Sequence, residues 1–120
     1  MSRVRLNKRV LVTSMVLTLT KENFKKEVLE SSVPVAVDFM AKWCAPCKQM
    51  EPIIEAVAEA LESKKVKIAR LDVDLAQELA QHYQIMSVPT ILVFRGKKIV
   101  EQMVGMRTKK ELLEKFQALG

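Results

Sequence analysis

The chain has 120 residues, 49% of them apolar and 28% charged. That is enough for one domain to close a hydrophobic core without metal or disulfide staples, and it is the wrong balance for wholesale disorder. No apolar run approaches the roughly 20 residues needed to cross a bilayer, so a soluble protein with no membrane partner is expected. The net charge of +6 is local: Arg3, Arg5, Lys8 and Arg9 stand without an acid in the first twenty residues, leaving sixteen basic against fourteen acidic side chains in the rest. One tryptophan, one tyrosine and four phenylalanines, none interleaved with that basic arm, offer no platform for stacking bases. A nucleic-acid partner is therefore not expected.

In chain order, residues 1–15 form a basic N-terminal extension with three readings: a targeting segment of the mitochondrial type, translation from an upstream start with Met15 opening the domain, or an extra strand or arm. Localisation follows that choice, cytoplasmic by default and mitochondrial if the arm is a targeting segment. A secretory signal fits poorly, because Thr13, Ser14 and Thr18 interrupt the apolar run. The domain proper is expected over residues 16–120. Val16 to Leu19 reads as a short strand, and Thr20 as the cap of a helix with Phe24, Val28 and Leu29 on one face. Ser31 to Pro34 ends that helix. Val35-Ala36-Val37-Asp38-Phe39-Met40 has the near-continuous apolar character of a strand buried on both faces.

A long amphipathic helix follows. Met50, Ile53, Ile54, Val57, Ala58 and Leu61 share one face, while Glu51, Glu55, Glu59 and Glu62 populate the other, and Pro52 is expected to kink it. Val66 to Val73 reads as a second central strand and Ala76 to Tyr83 as a short helix with Leu79 and Tyr83 inward. Thr90 to Phe94 and Ile99 to Val104 read as a hairpin turning at Arg95-Gly96-Lys97-Lys98. Thr108 with Glu111 predicts a capping box opening a last helix, with Leu112, Leu113 and Phe116 inward. The order β-α-β-α-β-α-β-β-α predicts an α/β fold, a central mixed sheet with helices on both faces.

The chain has two cysteines, three apart. A secreted disulfide scaffold would spread four or more along its length, and a structural zinc site needs four ligands where this chain offers no second pair and one histidine, His82. His82 itself reads as a solvated surface residue, the methionines as core filler and the lysine clusters as solvated faces. Lys48 after the second cysteine excludes the haem-attachment pattern. A dithiol able to open and close on itself remains, and no metal is expected.

Trp43-Cys44-Ala45-Pro46-Cys47-Lys48, with Val37-Asp38-Phe39 upstream and Val88-Pro89-Thr90 downstream, resembles the thioredoxin family in motif order and spacing from about Val16 to the C-terminus. The resemblance implies the thioredoxin fold and a protein-disulfide reductase. Cys44, at the junction of strand and helix, faces the positive end of the helix dipole and unpaired backbone donors, which favour the attacking thiolate; Cys47, one turn on, resolves the mixed disulfide. Pro46 stiffens the first turn. A carboxylate at Asp38 inside so apolar a strand is expensive unless neutral or useful; burial raises its pKa, and the family uses this position to exchange a proton with the resolving cysteine. By the same match Pro89 is expected to be cis, leaving the Val88 backbone open to an extended substrate strand. Trp43, Ala45, Pro46, Val73, Val88, Val104, Gly105 and Met106 are expected to form the apolar patch that meets a partner.

Four positions depart from the commonest family pattern: Ala45 and Ser87 replace glycines, Met40 a tryptophan behind the active site, and Arg70 a lysine near the aspartate. Arginine binds carboxylates with a planar fork and keeps its proton, so Arg70 is expected to hold Asp38 more ionised than usual. The implied partners are disulfide-containing proteins and an NADPH-dependent thioredoxin reductase as electron source; the chain itself is expected to bind no cofactor and to be a monomer. Two rival readings are weaker. An oxidase or isomerase usually places histidine before the second cysteine, where this chain has Pro46. A pure binding module would leave the cysteines incidental.

Overall fold

The computed structural model describes residues 14–119. Residues 1–13, most of the basic extension, lie outside the described residues, as does Gly120. The elements are β1 (Leu17–Leu19), a π-helix (Lys25–Leu29), β2 (Val35–Met40), α1 (Ala45–Ala60), β3 (Lys67–Asp72), α2 (Gln77–His82), β4 (Thr90–Arg95), β5 (Lys98–Val104) and α3 (Lys109–Gln117). One five-stranded sheet has the order β1-β3-β2-β4-β5. The first three pair in parallel and the last two antiparallel, so the sheet is mixed.

Alternation along β2 explains the two-sided core. Val35, Val37 and Phe39 point to a layer with Phe24 at the head of the π-helix, Val28 within it and Ala76, while Ala36 faces Met50, Ile54, Val57, Leu112 and Phe116 of α1 and α3. Leu79 and Tyr83 join the first layer, where Tyr83 and Phe24 meet Phe94 edge-on. Buried on both faces, β2 carries no alternating polar residue; its one charged side chain, Asp38, is buried with the rest.

The first helix differs from the sequence expectation. Thr20 does cap a turn, exchanging hydrogen bonds with Asn23, but the helix proper is five residues of π form. Its last turn closes by Glu30 N–H donating to Lys25 O at 3.0 Å, five residues back, which widens the helix just before the Ser31 to Pro34 break. α1 runs on through Pro52, whose missing N–H deprives Lys48 O of its helical donor. Gly96 turns the β4–β5 hairpin at φ +62°, a conformation suited to glycine.

α3 opens as predicted. Thr108 Oγ1 accepts the Glu111 N–H at 3.1 Å, and the Thr108 N–H donates to Glu111 Oε1 at 2.9 Å. Leu112 and Phe116 are thereby delivered into the core. Thr108→Ala is expected to destabilise the protein by about 1 kcal/mol with no change in urea m-value, measured by denaturant unfolding.

Candidate active site

The end of β2 delivers Met40 and Ala41 to the head of α1. Cys44 is the N-cap of that helix, in extended conformation (φ −90°, ψ 112°), with Pro46 in the first turn. Cys44 and Cys47 are joined in a disulfide, with Cα atoms 5.2 Å apart. The Cys47 N–H donates to Cys44 Sγ at 3.1 Å, so one of the helix's orphan donors is aimed at that sulfur. On reduction, the same donor and the helix dipole favour negative charge at Cys44. Cys44 is 4% exposed and Cys47 1%, and both pack with Met40, Ala41, Val73 and Val88.

The loop before β4 closes over this sulfur. The Val88–Pro89 peptide bond is cis, and Val88 O lies 3.7 Å from Cys44 Sγ. Thr90 Oγ1 donates to Ser87 O at 2.8 Å, and the Gly105 N–H donates to Pro89 O at 2.8 Å. Those bonds seat Val88, Pro89 and Gly105 beside one another. Trp43 is 70% exposed, its indole N–H donating to Asp74 Oδ2 at 2.8 Å. Ala45, Pro46, Val104 and Met106 are exposed, and Val73, Val88 and Gly105 are half-buried.

Sequence reasoning missed three features here. Met86, 90% exposed, stands two residues before Val88, and Leu75 is exposed next to Asp74. An exposed apolar residue in a loop has no periodicity to announce it. The Trp43–Asp74 bond joins residues 31 apart in sequence, and only the Asp72-Val73-Asp74 segment at the end of β3 hinted at a polar partner.

Asp38 is 5% exposed, and its pKa is raised from 3.8 to about 7, first by burial, against which the Arg70 charge pulls down and Glu51 pushes up. Its Oδ1 has no hydrogen-bond partner. Arg70 sits directly across from it on β3, but the expected fork onto the aspartate is not made: Arg70 Nη2 donates to Glu55 Oε2 at 2.6 Å. Met40, in the place of the family's tryptophan, borders with Glu51 and Arg70 a cavity of about 400 Å³. Among the described residues no three His, Cys, Asp or Glu converge as a metal site, and no helix is long and apolar enough to cross a membrane.

Comparison with known proteins agrees with this geometry. The family described as Thioredoxin matches residues 15–118. The chain is 40% identical over 100 residues to a thioredoxin of Rickettsia bellii, covering 83% of this chain and 94% of that one. It is 44% identical over 97 residues to a thioredoxin of Chlorobaculum thiosulfatiphilum, covering 81% and 89%, and 40% identical over 87 residues to thioredoxin 1 of a Nostoc species, covering 72% and 80%. With this likeness over most of its length, an α/β fold of the expected order and a cysteine pair at the head of α1 that closes into a disulfide, the chain belongs to the thioredoxin family and is a protein-disulfide oxidoreductase.

Proposed function

We propose that the chain works as a reductant of protein disulfides, with Cys44 as nucleophile, Cys47 as resolving thiol and Asp38 as proton acceptor. The Cys44 thiolate attacks one sulfur of the substrate disulfide; a mixed disulfide forms and one substrate thiolate leaves. Cys47 then gives its proton to Asp38 and attacks the Cys44 sulfur. The second substrate thiolate departs, the Cys44–Cys47 bond forms, and two electrons have passed to the substrate. The observation that carries this reading is the Cys47 N–H aimed at Cys44 Sγ at a helix N-terminus. It supports Cys44 as the sulfur that holds charge.

Pro89 and Val88 present backbone to an extended partner segment, and Trp43, Ala45, Pro46, Val73, Val104, Gly105 and Met106 supply the apolar rim, to which Met86 adds. The substrates are disulfide-containing proteins and the electron source is an NADPH-dependent thioredoxin reductase. Acting as a cytoplasmic monomer, the domain over 16–120 carries the activity, with residues 1–15 as an extension of it. The test is reduction of insulin disulfides by the full chain with thioredoxin reductase and NADPH. Catalytic NADPH consumption with insulin precipitation is expected; a reduced Cys44–Cys47 pair that leaves insulin intact would overturn the reading.

A further inference from the structure

Asp38 and Arg70 are register partners on adjacent parallel strands, and alternation sends both side chains to the α1 face of the sheet. A carboxylate and a guanidinium so placed ordinarily close into a charge-assisted fork. Here they do not. Asp38 Oδ1 and Arg70 Nε are both buried and both without a hydrogen-bond partner. Arg70 instead gives Nη2 to Glu55 Oε2 at 2.6 Å and, more loosely, to Ser14 Oγ at 3.4 Å. Glu55 is fixed in turn, because Ser14 Oγ donates to its carboxylate at 2.8 Å from either oxygen.

We propose that Glu55 is a positioning residue for the reaction: clamped by Ser14, it holds the Arg70 guanidinium at the edge of α1 and so keeps Asp38 unpaired and able to take up a proton. The proposal rests on the proton-transfer reading of Asp38 given above. Its physical content is a competition between two carboxylates for one cation. Glu55, partly in water, wins the hydrogen bond; Asp38 receives only Arg70's charge at a distance. Were the guanidinium to turn inward, the Asp38 carboxylate would be stabilised as the anion and become a poor acceptor for the Cys47 proton. Arg70 borders a cavity with Met40, Lys42 and Glu51, so its side chain is not closely packed on that side.

The cavity that Arg70 borders also carries Lys21, Glu22, Lys42, Glu51 and Asp72. α1 brings Glu51 and Glu55, and its head brings the cysteine pair. β3 brings Arg70, while on the other side β4 sets Ile91 opposite Asp38. α3 brings Leu112 and Phe116 to the same layer. Of these basic residues Arg70 is the one that faces Asp38 in register and whose charge acts on it, and Glu55 holds its guanidinium.

The test follows the Asp38 carboxyl carbon by NMR titration of the full chain, alongside the pH profile of kcat/KM for insulin reduction, in Glu55→Gln, Glu55→Ala, Arg70→Gln and the Glu55→Gln/Arg70→Gln double variant. Freed Arg70 is expected to lower the Asp38 midpoint in both Glu55 variants by about one pH unit, a tenfold change in proton affinity. Arg70→Gln is expected to raise it, and the double variant to match Arg70→Gln, because Glu55 acts through Arg70. An unmoved midpoint in the Glu55 variants, or an equal downward step when Arg70 is already absent, would overturn the proposal. A midpoint that moves as expected while the pH profile stays fixed would uphold the clamp and overturn the proton-transfer role of Asp38 instead, and an Asp38→Asn variant retaining the wild-type pH profile would do the same.

Discussion

Cys44→Ser is expected to abolish insulin reduction, with a fall in kcat/KM of more than about a thousandfold, whereas Cys47→Ser loses turnover but still captures its partner as a stable mixed disulfide. The asymmetry comes from α1. Cys44 is its N-cap, with the Cys47 N–H pointing at the sulfur at 3.1 Å. A serine there has no comparable access to the anion, since its hydroxyl titrates far above a thiol, and the first bond never forms. Cys44 stands at the helix end beside the Val88 carbonyl, so a partner disulfide seated on the Val88 backbone meets Cys44 first. With serine at 47 the first attack proceeds and nothing releases the product. Denaturing electrophoresis without reductant reads the result directly: a covalent complex in Cys47→Ser, dissolved by dithiothreitol, and none in Cys44→Ser. The reverse pattern would exchange the roles of the two sulfurs.

The elements that position this site are legible where one segment alone decides them. β2 is expected over Val35 to Met40 and has those bounds, because a strand buried on both faces writes its environment as an unbroken apolar run. The box at Thr108 and Glu111 is legible for a similar reason, being a pattern of four consecutive residues. The π form of the first helix is not legible: Phe24 and Val28 satisfy the burial pattern of an α-turn and a π-turn alike, and backbone bonds such as that from Glu30 N–H to Lys25 O separate them. The same limit applies at the site. The cysteine pair and Asp38 stand out by type and by neighbours. Val88–Pro89 speaks through a family resemblance, since cis and trans prolines have the same letter. The Trp43–Asp74 bond and the capture of Arg70 by Glu55 depend on how β3 lies against the head and the third turn of α1. No segment contains that information by itself. Arg70 is expected to serve Asp38 because the two are chemically matched; it turns to a second carboxylate that folding brings equally close.

Removing the buried acid is expected to flatten the pH dependence of stability and to make the oxidised protein more stable in alkali. In the folded chain the Asp38 pKa lies at about 7 against an ordinary 3.8, chiefly because burial disfavours the anion. Below pH 3.8 the carboxyl is neutral in both folded and unfolded chains and carries no penalty. As the pH rises from there to about 7, the unfolded chain ionises while the fold keeps the proton, so stability falls; above about 7 the loss is complete. A rise of that size corresponds to about 4 kcal/mol. Asp38→Asn removes the titration, so its advantage over wild type should grow by about 3 to 4 kcal/mol between pH 4 and pH 9, read by urea unfolding at matched m-values. A constant difference across that range would mean that Asp38 ionises as freely in the fold as in the open chain. The expected slope also explains why the acid suits the proton-accepting role proposed for it. The environment that makes its anion costly to the fold is what lets it accept a proton near neutral pH, when Cys47 must lose one.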